Sequence, residues 1–242
     1  TTKASVTDPL TGLWTRQKFE HEAEILLREN PRKRFMLLEA DIRGFKFLNH
    51  NYGDEAANEI LQAFSKVLAE EVWENGGLLG RGYADRFYAI FIIKNQKTAM
   101  STFQACLNKI LESVKTSEFP YFPKFGLTLY FPEKHGPLSN HPLVDLIGQA
   151  SLAKSTIKKD MVTPYAIYNS QIQRKADEDQ FIESNMEKAL NEGEFFVMYQ
   201  PKVSLKTDKI VGAEALVRWK SSKLGLLTPS QFVPLFEQNG FI

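Results

Sequence analysis

The strongest constraint on the fold of this chain is the apolar run RFMLLEADI at residues 34–42. A short run of this kind predicts a buried strand, and here the strand ends in a carboxylate, Asp41. The clearest helix follows at residues 54–72, where apolar residues recur at helical spacing on one face. A buried strand and an amphipathic helix must cover apolar surface, so we expect a layered fold around a sheet.

The rest of residues 1–168 alternates between strand and helix patterns. Further helices are predicted at residues 16–29, 98–114 and 143–158, and further strands at 78–82, 86–94, 121–131 and 164–168. The strands at 78–82 and 86–94 flank a tight turn and predict a hairpin. Hairpins combined with crossover helices predict an α/β or α+β domain with one central sheet.

The pattern changes after residue 168. Residues 171–190 are strongly charged with sparse apolar positions, which predicts a partly exposed helix that links two domains. Strands at 195–200 and 209–219 follow, and then a last helix that begins at Thr228-Pro229-Ser230. Two strands and a helix bury little core, so we expect this unit to be the start of a larger domain.

Composition excludes several classes of protein. The 30 basic and 29 acidic residues argue against a surface that binds nucleic acid, although a local phosphate site needs only a few cations. The single cysteine, Cys106, excludes an internal disulfide and a zinc site built from thiolates, and it favours a cytoplasmic location. Apolar runs are far shorter than the about 20 residues of a membrane span, and no signal peptide opens the chain, so we expect no membrane contact.

Two acidic residues are candidates for one site. Asp41 ends the buried strand, and Asp85 lies in the turn of the predicted hairpin. If these strands are neighbours, both carboxylates face one site, and paired carboxylates at strand ends hold Mg²⁺ against nucleotide phosphates. From spacing alone, the simpler interpretation as two solvated turn residues is favoured.

Three ordered motifs change that balance. They are Asp8-Pro-Leu-Thr-Gly-Leu13, Asp41-Ile-Arg-Gly-Phe-Lys46-Phe-Leu-Asn49 and Arg81-Gly-Tyr-Ala-Asp85-Arg86-Phe87. They resemble the patterns D-x-L-T-G-L, D-[IL]-D-x-F-K-x-x-N-D and R-Y-G-G-D-E-F of the GGDEF domain, the diguanylate cyclase fold. The resemblance covers residues 8 to about 168 and implies a nucleotide-cyclase-like, antiparallel-rich sheet flanked by helices.

The second segment resembles the start of an EAL domain, the cyclic-di-GMP phosphodiesterase fold. The resemblance rests on three segments, Tyr199-Gln200-Pro201, Gly212-Ala-Glu214-Ala-Leu216-Val-Arg218-Trp219 and Gly225-Leu-Leu-Thr-Pro-Ser-Gln-Phe232. The resemblance implies that Glu214 is a metal ligand and that Gln200, Leu216 and Arg218 contact the dinucleotide. We expect the other acidic ligands to lie beyond Ile242, so this segment alone should not hydrolyse the dinucleotide.

For the GGDEF part, the resemblance implies metal binding by Asp41, Asp85 and the backbone carbonyl of Ile42. The glutamate that the family needs for metal binding and catalysis is Arg86 here. A permanent positive charge beside a dication costs several kcal/mol, so we expect Mg²⁺ binding to be weakened or absent. We expect Arg86 to pair with Asp41 or Asp85 instead, and we assign no catalytic residue.

The nucleotide-binding positions of the family are only partly kept. The resemblance implies contacts by Lys46, Asn49, Asn58 and Lys158, of which Asn58 replaces an aspartate. An amide offers one acceptor oxygen to a guanine edge, whereas a carboxylate offers two and a charge. Tyr83 and Ala84 replace the two glycines that let the backbone approach a nucleotide.

The resulting interpretation divides the chain into four parts. Residues 1–7 are the remnant of a linker, 8–169 a degenerate GGDEF domain, 170–192 a linker helix and 193–242 the beginning of an EAL domain. The predicted protein belongs to bacterial cyclic-di-GMP signalling, with a GGDEF domain that regulates or dimerises without cyclase activity. The whole protein is then a cyclic-di-GMP phosphodiesterase or receptor.

Two alternatives stay open. In the first, GTP binds the GGDEF pocket and biases the EAL domain, which requires different affinities in two states. In the second, the domain is an active cyclase that uses unusual ligands. The expected partners are GTP or cyclic-di-GMP and a second copy of the chain, because the strands at 195–200 and 209–219 expose edges and apolar faces.

Overall fold

A computed structural model describes residues 6–157 and 163–242 of the chain. Its elements in chain order are β1 (Trp14–Thr15), α1 (Arg16–Glu29), β2 (Arg34–Ile42), α2 (Phe45–Glu74), β3 (Leu78–Arg81), β4 (Phe87–Ile93), α3 (Gln96–Thr116), β5 (Pro123–Tyr130), α4 (Pro132–His135), α5 (Pro142–Ser155), β6 (Tyr165–Ile167), α6 (Ser170–Asn191), β7 (Phe195–Val203), β8 (Ile210–Ser221), β9 (Gly225–Leu227) and α7 (Pro229–Asn239). They form two compact units, the first ending at Ile172 and the second beginning at Gln173.

The first unit is built on a sheet with strand order β1-β3-β4-β2-β5-β6. β2 lies between β4 and β5 and is antiparallel to both, while β1 with β3 and β5 with β6 are parallel pairs. The antiparallel-rich sheet flanked by helices is therefore confirmed, and the apolar run at 34–42 is a central strand.

Alternation along β2 separates two layers of core. Met36, Leu38 and Ala40 pack with residues of α2 and α3, whereas Phe35 and Leu37 pack with α1 and α5. Since side chains alternate between the faces of a strand, the acidic residues near its end share the face of Phe35 and Leu37. This alternation directs the carboxylates toward the helical layer of α1 and α5.

The predicted helix at 54–72 is confirmed, but a shorter helical segment precedes it. Gly53 has φ +83° and ψ 172°, which kinks α2 between the two segments. The residues from Phe45 onward were missed because the glycine interrupts the apolar period. Gly44, with φ +68°, precedes the first turn of the helix.

Short elements account for most of the other differences from the predictions. β1, α4 and β9 have 2, 4 and 3 residues, too few for a period to show in the sequence. The predicted helix at 143–158 ends at Ser155, and position 158 lies outside the described residues. After α6, the expectation of two strands and a helix is corrected to three strands and a helix, because β9 follows β8.

The second unit has a small aromatic core. The sheet β7-β8-β9 contributes Trp219 and Leu227, and α7 contributes Phe232 and Phe236. Ile182 of α6 belongs to this same core, so the charged helix packs on the second sheet as well as linking the two units. Nearly all of β7 is exposed on both faces. Within the described ranges, every helix is too short or too polar to cross a membrane.

Candidate functional site

The C-terminal end of β2 lies beside the loop of the β3–β4 hairpin, at one end of the strands of the first sheet. Ala40 pairs with Phe87 in the register of β2 and β4. Two residues further along β2, the backbone N–H of Ile42 donates a 2.9 Å hydrogen bond to Oδ2 of Asp85. The structure therefore brings Asp41 and Asp85 together, as the resemblance to the GGDEF motifs implies.

The Asp85 carboxyl lies in an unfavourable environment for a negative charge. Burial raises its pKa above the ordinary value of 3.8, and the negative charge of Asp41 raises it further. The hydrogen bond from Ile42 and the positive charge of Lys154 act in the opposite direction without cancelling the increase. The electrostatics thus favour a nearby cation.

A cation of the protein itself lies at this site. The ammonium of Lys154, near the end of α5, is 2.6 Å from Oδ2 of Asp41 and 2.8 Å from Oε1 of Glu39. The Lys154 side chain is only 8% exposed, and that of Glu39 is 2% exposed. Sequence reasoning missed both residues, because a lysine at the end of a helix usually reaches solvent.

Gly126 explains how a lysine of α5 reaches the central strand. It pairs with Glu39 in the register of β2 and β5. A Cβ atom at Gly126 would overlap the carbonyl oxygen of Ala150 and lie 2.7 Å from Cβ of Lys154. Only glycine lets α5 approach the sheet this closely, and this approach places Lys154 over Glu39.

The expected ion pair of Arg86 is not found. Across residues 6–157 and 163–242, Asp41 pairs with Lys154, and no ion pair joins Arg86 to Asp41 or Asp85. The Arg86 side chain lies in an exposed position of the hairpin loop. That prediction is therefore wrong, because the neighbouring helix supplies a closer cation.

Arg81, a residue to which we assigned no role from the motifs, holds the hairpin loop. Arg81 donates to the carbonyl oxygen of Ala84 through Nε and Nη2, and its Nη1 is 2.7 Å from Oδ1 of Asp8. Ala84 has φ +58°, a left-handed conformation that is costly for a residue with a Cβ atom. Tyr83 beside it is 89% exposed. The loop keeps its shape without the glycines that would adopt it freely.

The predicted nucleotide contacts are placed unevenly. Lys46 and Asn58 are exposed on the two segments of α2. Oδ1 of Asn49 and Nη1 of Arg43 are buried and have no hydrogen-bond partner in the described part of the chain. Lys158 lies outside the described residues, so its role stays a prediction.

The predicted EAL residues share one face of the second sheet. Gln200 pairs with Glu214 in the register of β7 and β8, and Leu216 and Arg218 follow at alternate positions of β8. Direct partners and alternate residues point to the same side of a sheet. Lys202 approaches Glu214 at 3.7 Å, with both side chains more than half exposed. The structure groups the four residues, and their role in binding stays a prediction.

The donor set at the first site does not fit a divalent metal ion. In the described ranges, no group of three or more histidine, cysteine, aspartate or glutamate side chains is placed to hold one. Asp41 is already paired with Lys154, and Arg86 stands where the motif has a glutamate. Mg²⁺ takes about six oxygen ligands in octahedral geometry, and here it would meet a fixed ammonium.

Comparison with known proteins gives consistent similarities. The profile described as "Diguanylate cyclase, GGDEF domain" matches residues 5–161, and that of the EAL domain matches residues 183–242. The chain is 26% identical over 239 residues to the bifunctional diguanylate cyclase/cyclic di-GMP phosphodiesterase MucR of Pseudomonas aeruginosa, covering 97% of this chain and 34% of MucR. It is 23% identical over 240 residues to the cyclic di-GMP phosphodiesterase PdeR of Escherichia coli, covering 98% of this chain and 35% of PdeR. The chain thus spans about a third of the length of these relatives.

Solved structures show the same fold. The GGDEF domain of DgcB from Caulobacter crescentus, in complex with c-di-GMP, has a TM-score of 0.57 and 18% identity, covering 70% of this chain and 97% of that one. The S helix-GGDEF-EAL structure of LapD from Vibrio cholerae, bound to c-di-GMP, has a TM-score of 0.59 and 15% identity, covering 97% of this chain and 53% of that one. At these identities the likeness concerns the fold alone.

Proposed function

The chain belongs to the GGDEF family and continues into a partial EAL domain, and from this premise we propose that its GGDEF domain is a regulatory domain without cyclase activity. In this proposal the GGDEF domain serves a bacterial cyclic-di-GMP signalling protein. The whole protein, of which this chain is a part, hydrolyses or senses cyclic-di-GMP through its EAL domain.

One observation carries the proposal: the site has two carboxylates, Asp41 and Asp85, and a cation, Arg86, at the position of the required glutamate. Two unit positive charges at 4 Å repel by about 4 kcal/mol at an effective dielectric constant of 20, and a dication doubles this figure. The chemistry of a cyclase needs metal ions on the nucleotide phosphates. A site of this charge is poorly suited to supply them.

The test is an assay for product from GTP with Mg²⁺ or Mn²⁺. We expect no cyclic-di-GMP above the level of an Asp85→Ala variant, which serves as the matched control. Product formed by the wild-type protein and lost in Asp85→Ala would support the alternative of an active cyclase with unusual ligands.

A second candidate function is a GTP sensor, and Asn49 favours it. Its buried Oδ1 has no hydrogen-bond partner in the described residues, and an unsatisfied buried acceptor is costly unless a ligand donates to it. Calorimetric titration with GTP, with and without Mg²⁺, tests this function. Binding that is weakened in Asn49→Ala supports the sensor, whereas an unchanged affinity contradicts it.

For the EAL segment, we propose that Arg218 and Gln200 contact the dinucleotide in the whole protein. The guanidinium fork suits a phosphate group, and both residues share one face with Glu214. In the full-length protein, Arg218→Ala should weaken cyclic-di-GMP binding more than the control Lys206→Ala, an exposed lysine in the loop between β7 and β8.

We also propose that the protein acts in the cytoplasm as a homodimer. The exposed apolar residues of the second unit support this proposal; they include Val197, Tyr199 and Ile210, which are 50%, 72% and 70% exposed. Light scattering on the chain tests it, and a monomer at all concentrations would contradict the dimer.

A further inference from the structure

Lys154 has a role that none of the motifs assigns. We propose that its ammonium is a built-in cation of the carboxylate cluster formed by Glu39, Asp41 and Asp85, and that it excludes a divalent metal ion from this cluster. An anionic ligand of the pocket would then bind without a metal ion. The inference deepens the proposed regulatory function and rests on it.

The first step is the geometry of the ion pair. Nζ of Lys154 contacts Glu39 and Asp41 at once, at 2.8 and 2.6 Å. These two carboxylates are two residues apart on β2 and lie on the same face of the strand. A single ammonium therefore bridges them from the layer of α5, in the manner of a bound cation.

The second step is burial. Oε2 of Glu39 is buried without a hydrogen-bond partner in the described part of the chain, so the ammonium is the main compensation for this carboxylate. Removal of one partner of a buried ion pair leaves an uncompensated charge in a medium of low dielectric constant. Lys154 cannot leave Glu39 at small cost to make room for a metal ion.

The third step is the restraint on the lysine stem. α5 packs closely on β5 at Gly126, and the buried residues Leu146 and Ala150 of α5 belong to the core of this layer. The Lys154 side chain is 8% exposed, so its stem is surrounded rather than free to swing into solvent. This is the opposite of Lys109, which pairs with Glu71 while 58% of its own side chain stays exposed.

The fourth step is competition for Asp41. A divalent ion shared by Asp41 and Asp85 would have to approach an oxygen that the ammonium already contacts at 2.6 Å. The repulsion between a dication and a fixed monocation at such distances offsets much of the attraction that the carboxylates offer the metal ion. Lys154 therefore lowers the metal affinity independently of Arg86, whose side chain is exposed in the hairpin loop.

The experiment measures Mn²⁺ binding directly, by the electron paramagnetic resonance signal of free Mn²⁺ in the presence of the 242-residue chain. We expect no binding by the wild-type protein at millimolar Mn²⁺. Lys154→Met should gain at least about tenfold in Mn²⁺ affinity, because a unit positive charge beside the dication is removed. The matched control Lys109→Met, which removes an equally charged but exposed lysine, should behave as the wild type does.

A second variant covers the case in which Lys154→Met fails to fold. The double variant Glu39→Leu with Lys154→Met replaces the buried pair by apolar side chains of similar size, a change that proteins often tolerate. It leaves Asp41 and Asp85 without a competing ammonium and should also bind Mn²⁺. Addition of Asp85→Asn to either variant should abolish the gain, which locates the ion.

Two results would overturn the inference. The first is Mn²⁺ binding by the wild-type protein that Asp85→Asn abolishes, and the second is a folded double variant that binds no more Mn²⁺ than the wild type. Neither result depends on cyclase activity. Metal binding without product would leave the regulatory function intact, whereas product from GTP would contradict that function itself.

Discussion

Each unit of the chain holds a lysine–carboxylate pair near its predicted site, and the two pairs differ in every physical respect. In the first unit, Lys154 and Glu39 are 8% and 2% exposed and 2.8 Å apart. In the second, Lys202 and Glu214 are 63% and 55% exposed and 3.7 Å apart. The same chemistry is thus a fixed part of one core and a loose surface contact in the other, because only the first pair is covered by a helix.

The largest expected effect comes from a substitution that breaks the buried ion pair of Lys154 and Glu39. Lys154→Ala should lower the free energy of unfolding of the first unit by about 3–5 kcal/mol, since Glu39 stays buried and unpaired. Lys202→Ala should change the stability of the second unit by less than about 1 kcal/mol. Urea unfolding, followed by hydrogen exchange to separate the units, measures both. Equal effects would mean that burial does not distinguish the pairs.

The substitution Gly126→Ala tests whether the close approach of α5 to β5 is what positions Lys154 over Glu39. The new Cβ atom would overlap backbone of α5 at Ala150, so the helix must move outward. We expect a loss of about 3 kcal/mol, at the upper end of overpacking effects. Gly148→Ala is the matched control within α5, because nothing lies within 4 Å of its added Cβ atom and alanine favours a helix. Gly148→Ala should stabilise the protein by about 0.5–1 kcal/mol. Thermal unfolding of both variants shows whether each substitution raises or lowers the melting temperature.

The left-handed residues of the two units allow a finer comparison. Ala84→Gly should stabilise the first unit by about 1 kcal/mol, because it relieves φ +58° in a residue that disfavours it. Asp208→Gly, at φ +51° in the second unit, should give a smaller gain, since aspartate tolerates this conformation better. Chemical denaturation distinguishes the two. A larger gain at Asp208 would contradict the assignment of strain to the hairpin loop.

The smallest expected effect concerns how the stability that Asp8 contributes, through its ion pair with Arg81 of the hairpin, depends on pH. Burial by itself raises the pKa of Asp8, but the hydrogen bonds from Thr11 and Arg81 lower it overall from its ordinary value of 3.8. A carboxyl with a lowered folded-state pKa contributes stability above about pH 4, and loses this contribution as the pH falls through the folded value.

The measurement is the melting temperature of wild type and Asp8→Asn from pH 7 down to acid. The wild-type advantage should be small, because Asp8 is partly exposed, and it should disappear at low pH. An advantage that persists in acid would assign the effect to hydrogen bonding rather than to charge.

Local patterns in the sequence were sufficient for most elements. The bounds of α1 and β2 agree with the predicted ranges 16–29 and 34–42, because periodicity and breakers such as Asn30-Pro31 act over a few residues. The meeting of Asp41 with Asp85 was also expected, because the resemblance to the GGDEF motifs implies that both residues bind one metal ion. The short elements β1, α4 and β9 were missed because two to four residues carry no visible period.

The partner of Asp41 was decided by the tertiary structure alone. Arg86 is next to Asp85 in sequence and was the expected partner, yet Lys154 takes this place from a helix 113 residues further along the chain than Asp41. No local pattern distinguishes Lys154 from an ordinary lysine at a helix end. The sequence by itself determined which residues form the strand, the hairpin and the helix. Only packing at Gly126, where the helix backbone meets the strand, decided which cation lies at the carboxylates, because that depends on distances between segments far apart in the chain.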